Sequence, residues 1–269
     1  MGGMLRLAYN NLNFPEESLR LQIKDLTEET RMKFAKKGLS DIFDILSETA
    51  FLVRKPLDTV ELSGFSTYFG EQFIVYLNSN FTLGHERYTG AHELYHLIYN
   101  ADILKKEKII LGNEKYKVED MKADVFASEF LMPEDYVKEV FCKIVNVDKD
   151  SVLTRHIVRM HNHFNVSYKA MLKKLIQLNL CLEDKYGELL DISSLENVEQ
   201  LQSLTKREGY SIDLIIPSKV TYVPAEYIEF IKSNYERGNI SYKNMKNSLE
   251  FVELSPERFG YEYPLDEDH

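Results

Sequence analysis

Apolar side chains between Glu16 and Glu48 recur at three- and four-residue steps: Leu19, Ile23 and Leu26, then Phe34, Leu39, Ile42, Phe43 and Leu46. That period turns one helix face toward a core. Gly38 divides the run into two predicted helices. Between Ala50 and Asn80 the texture changes to short runs rich in branched and aromatic residues: "FLVRKPL", "TVELSGFSTYFG" and "EQFIVYLN". Pro56, Gly64 and Gly70 punctuate them as turns between strands do. "QFIVYL" is the clearest strand of the chain, and the predicted hairpin leads into a predicted helix over Thr89–Ala101.

The polar stretch "DILKKEKIILGNEKYK" predicts a loop or irregular hairpin. After it, "VEDMKADVFASEFLMP" is helical by spacing, with Met121, Val125, Phe126, Phe130 and Leu131 as its apolar face. Pro133 ends that helix, and Pro133-Glu134-Asp135 opens another, with acids near the positive end of the helix dipole. "VLTRHIVRMHNHFNVSYKAMLKKLIQLNL" predicts two helices joined by "FNVS", with Ser167 as N-cap of the second. Further on, "IDLIIPSKVTYVP" predicts strand or extended chain, followed by a helix, a turn at Gly238 and another helix. The expected fold class is α+β, mainly helical, with a small antiparallel or mixed sheet packed beside the helix of "TGAHELYHLIY". Three segments are expected: 1–145 around that helix, 146–185 resembling a helix-turn-helix, and 186–269 as a mixed, then helical, accessory region.

Composition narrows this picture only a little. With 269 residues and 44% hydrophobic side chains, the chain can bury a sizeable core. No apolar run reaches the eighteen or more residues that a membrane helix needs. The start, "MGGMLRLAYNNLNF", lacks the apolar core of a secretory signal, so the cytoplasm is expected. Cys142 and Cys181, the only two cysteines, form no CxxC pair and fit a reducing compartment. A net charge of −10 opposes non-specific binding of the whole molecule to nucleic acid.

The candidate chemistry lies in "TGAHELYHLIY". His92 and His96 are four apart on a helix, so both rings leave one face one turn apart. That spacing lets two imidazoles share a Zn²⁺, and Glu93 beside the first can take a proton from a water that the ion acidifies. A catalytic zinc needs a third protein ligand. Asp120 and Asp124 share one face of the following helix, which suits one acid on the metal and one on the outer nitrogen of a ligand histidine. Glu119, about 100° round the helix, is the rival ligand. Tyr88, Tyr95, His85 and Arg87 lie near the motif in sequence, but sequence alone does not identify which group would stabilise a developing oxyanion.

"RYTGAHELYHLI" followed by "EDMKADVFASEFLMP" resembles the ImmA/IrrE family of metallo-endopeptidases. Ala123, Asp124, Phe126, Ala127, Leu131, Met132 and Pro133 match the family pattern in register. The resemblance covers roughly Ile42 to Leu180, with weaker similarity near the end of the chain. It implies a third ligand at Asp120, where the family carries Glu, and it meets Tyr95 where the family usually has Gly. It also implies a cytoplasmic enzyme that makes limited cuts in a partner protein, a helix-turn-helix repressor of a mobile element or stress regulon. From Ser151 to Leu182 the chain has no acid. Arg155, Arg159, Lys169, Lys173 and Lys174 in that stretch are the candidate partner contacts, with direct DNA binding the weaker alternative. The competing reading is a non-catalytic, antitoxin-like regulator that keeps the fold.

Overall fold

The computed structural model describes residue 12, residues 14–108 and residues 116–262. Helices α1 (Glu17–Ala35) and α2 (Ile42–Thr49) are divided by Gly38, whose φ of +75° suits a residue without Cβ. The Asp41 side chain accepts from the Phe43 amide at 2.9 Å and so starts α2. Strands β1 (Phe51–Lys55), β2 (Gly64–Phe69) and β3 (Gln72–Asn78) form one sheet in the order β1-β3-β2. β2 pairs antiparallel with β3 through the Gly70-Glu71 turn, and both turn residues have positive φ, as a two-residue hairpin needs. β1 pairs parallel with β3, with Leu52 opposite Val75. The sheet is therefore mixed and β3, the clearest strand in the sequence, is its centre.

Helix α3 (Leu83–Tyr99) follows β3 directly and continues into α4 (Ala101–Glu107). α4 corrects the loop expected there, because Leu104 is fully buried and anchors a helical turn. The remainder of that expected loop, 109–115, lies outside the described residues. Next come α5 (Lys117–Leu131), α6 (Glu134–Ile144), α7 (Thr154–Phe164) and α8 (Tyr168–Gln177). Ser167 caps α8 by accepting from the Ala170 amide at 3.2 Å. Helices α9 (Tyr186–Asp191), α10 (Val198–Arg207), α11 (Ala225–Glu236) and α12 (Tyr242–Glu250) follow.

Among the described residues, most buried apolar side chains fall into three clusters. One runs from Ile23 to Phe130 and packs α1, α2 and the sheet against α3 and α5. A second runs from Met132 to Ile215, so α7 and α8 share a core with α6, α9 and α10. A third holds α11 and α12 together around Tyr242, Met245 and Leu249. The two larger bodies meet at Gly84 of α3, where a Cβ would stand 2.6 Å from the Ser167 amide nitrogen. Residues 216–222 run past the edge strand β1, with Lys219 in the left-handed region at φ +49°. The Leu83 amide donates to the Ile216 carbonyl, and Arg54 and Tyr222 exchange backbone hydrogen bonds at 2.9 and 2.7 Å, which covers the free edge of β1. No helix among the described residues is long and apolar enough to cross a membrane.

Candidate metal centre

α3 and α5 lie side by side because their facing residues are small or apolar: Ala91, Leu94, Ala123, Phe126 and Ala127 are fully buried. Tyr88 Oη donates to the Asp124 carbonyl at 2.8 Å and ties the helices together. This contact brings His92 and His96 of α3 to Asp120 of α5. One ligand atom from each lies within 4.8 Å of the others. The His92 and His96 Nε2 atoms are 3.2 Å apart, and His96 Nε2 is 3.5 Å from Asp120 Oδ1. Donors about 2.0–2.2 Å from one tetrahedral ion stand about 3.3–3.6 Å apart, so this nitrogen, nitrogen and oxygen set fits a zinc-sized cation.

The outer nitrogens are engaged. His92 Nδ1 donates to Asp124 Oδ1 at 2.9 Å, and His96 Nδ1 donates to Asn100 Oδ1 at 2.9 Å. Burial opposes a charge on His92, but the hydrogen bond and charge of Asp124, with Glu93 and Asp120 nearby, outweigh it and lift the imidazole to about 9. The two Nε2 atoms are close enough to share a proton, and a cation bound between them would take its place.

Glu93 is buried, and its Oε2 accepts from Ser66 Oγ of β2 at 2.7 Å. Glu119, the rival ligand, is not in the cluster of donors. Its carboxylate accepts from Lys122 Nζ at 2.7 Å, Asn100 Nδ2 at 2.8 Å and Tyr95 Oη at 3.3 Å. Burial alone would raise its pKa, but these donors, Lys122 first, hold it below the ordinary carboxylate value. Burial, then Glu119, push the Tyr95 phenol upward. Of the remaining flanking donors, Arg87 is held by Asp41 at 2.7 Å. His85 stacks on Phe81, and burial, then Lys169, lower it to about 4.

Sequence reasoning missed Ser66 and Asn100. Asn100 had a signal, since it lies one turn beyond His96 on the same helix face. Ser66 had none, since its strand meets α3 only through the fold. The five basic candidates part company. Lys174 is fully buried against Glu129 at 2.5 Å and offers no surface to a partner, a correction that follows from its position on the inner face of α8. Arg159 pairs with Glu208 at 2.6 Å, and Arg155 is exposed on α7. Lys169 and Lys173, one turn apart on α8, lie within electrostatic reach of His85 and Asp124, respectively.

Residues 48–175 match the family model of the IrrE N-terminal-like domain, Peptidase_M78. That span holds the sheet, α3 and α5, and thus every residue of the cluster. The match supports the resemblance of this segment to the ImmA/IrrE family of metallopeptidases. Among curated proteins, none matches the chain.

Proposed function

We propose that this chain is a zinc-dependent endopeptidase of the cytoplasm that makes limited cuts in a partner protein, a DNA-binding repressor of the helix-turn-helix kind. The observation that carries this reading is Glu93, a buried carboxylate held by Ser66 next to the paired histidines. A centre that only stabilises a fold has no need of such a group. His92, His96 and Asp120 would hold the ion, which when bound polarises a carbonyl and makes a water acidic near neutral pH. With Oε2 fixed by Ser66, Glu93 takes the water's proton and returns it to the leaving amine. Asp124 and Asn100 keep the two rings oriented with their Nε2 atoms inward.

Selectivity comes from contacts remote from the cut bond. Lys169 and Lys173, with Arg155 and Arg159 farther along the acid-free stretch, suit an acidic partner surface, and the net charge of −10 disfavours DNA as that partner. The test compares new protein N-termini in cells expressing wild type or Glu93→Gln. One or a few cuts, in a DNA-binding protein, should appear with wild type alone. The variant should keep its zinc and lose about 10²–10⁴ in cleavage rate. Equal cutting by both proteins would assign the activity elsewhere, and broad digestion would remove the repressor from the proposal.

A further inference from the structure

We infer that Asn100, Glu119 and Tyr95 form a one-way hydrogen-bond chain that positions His96 for metal binding. The inference deepens the metal-site reading above and rests on it. Direction in this chain begins at Glu119, because an ionised carboxylate only accepts hydrogen bonds. Its Oε1 is taken by Lys122, and its Oε2 accepts from Asn100 Nδ2 and Tyr95 Oη. Asn100 thus presents its NH₂ group to Glu119, which turns its carbonyl oxygen toward His96 Nδ1 at 2.9 Å. A carbonyl oxygen also only accepts, so the proton of the ring must sit on Nδ1. Nε2 is left as the lone pair that faces His92 and Asp120.

Burial makes this polarity binding. Tyr95, His96 and Asn100 are all buried, at 3%, 2% and 4% exposure, and a reversed amide would set its oxygen against the Glu119 carboxylate and its NH₂ group against the Nδ1 proton. Tyr95 adds a second contact, its ring standing edge-on to His96 at 5.8 Å and 76°. The residue that departs from the usual family pattern therefore both packs the ligand ring and helps to hold the acid that orients it. His92 is supported differently, by a direct bond to a carboxylate whose side chain is 62% exposed. His96 instead has an amide between ring and acid, which orients the buried imidazole without setting a negative charge against it.

The test uses full-length wild type, Asn100→Leu and Glu119→Gln, with ¹⁵N-labelled histidine. Ring-proton NMR of metal-free protein reads the His96 tautomer, and competition with a chelator reads zinc affinity. Wild type should show the Nδ1–H form. Asn100→Leu should lose that preference and bind zinc about 10–100-fold more weakly. Glu119→Gln should fall between them, because its NH₂ group points a further donor at groups that already donate. If Asn100→Leu does not fold, the nearly isosteric Glu119→Gln carries the test. An Nε2–H ring in wild type, or an unchanged tautomer and affinity in the folded variants, would overturn the inference. A wild type that binds no zinc would sink the metal-site reading instead, and the tautomer change in Glu119→Gln would still decide whether the chain sets the ring.

Discussion

Helix α5 sets polar side chains against its neighbours on two flanks and settles them in opposite ways. Toward α8, Glu129 meets Lys174 at 2.5 Å, both side chains almost wholly out of solvent. Within the same helical body, His161 donates Nδ1 to the Val166 carbonyl and uses Nε2 to accept from Asn162, both at 3.1 Å. These networks are closed, with each charge or ring atom answered by a partner. Toward α3, α5 offers Asp120 to two histidines whose Nε2 atoms have no acceptor role left except toward a shared cation or proton. Closed networks hold a fold in one arrangement, while convergent lone pairs cost stability and are kept for chemistry. The same helix thus has one flank that secures the body and one that serves the site.

The largest effect should come from opening the closed flank. Lys174→Ala leaves Glu129 charged and unpaired in the core and should cost about 3–5 kcal/mol in denaturant unfolding. Replacing both partners with apolar residues, Lys174→Met with Glu129→Leu, should recover most of that loss. A single variant within about 1 kcal/mol of wild type would place Glu129 in water and blur the contrast between the flanks.

A smaller effect should appear with pH. Burial lowers His161 to about 4, the bond to Val166 opposing only in part. Its unfolded value is about 6.5, so between these values the unfolded chain binds more protons than the fold. Stability should therefore decline as pH falls from about 6.5 to about 4, by as much as about 3 kcal/mol from this group. Wild type and His161→Gln, unfolded at pH 7 and at pH 4.5, would show it: the acid loss should be larger in wild type. Equal losses in both proteins would mean that the His161 ring reaches solvent.

The smallest effect belongs to the open flank, where the support of His92 is half in water. Asp124→Ala should weaken zinc binding about 10–100-fold, or about 1.4–2.7 kcal/mol, with little change in the melting of metal-free protein. A large loss of metal-free stability with intact zinc affinity would make Asp124 a structural residue and reverse its side of the comparison.

Periodicity alone placed most helices, the hairpin and the central strand, because the burial of one face imposes a period that local sequence must carry. It also placed His92, His96, Asp120 and Asp124, since helical spacing decides which side chains share a face. The short helix α4 escaped because its signal is essentially one buried residue, Leu104. Tertiary structure alone decided the rest. It set Asp120, and not Glu119, beside the two histidines by turning Glu119 to Lys122, Asn100 and Tyr95, a matter of how α5 is rotated against α3. It brought Ser66 from a strand to Glu93, and it drew Lys174 out of an apparently basic surface into the core. Contacts between elements distant in sequence leave no period to read, so the donors and Asp124 could be named from the chain, but Ser66 and the Lys174–Glu129 pair could not.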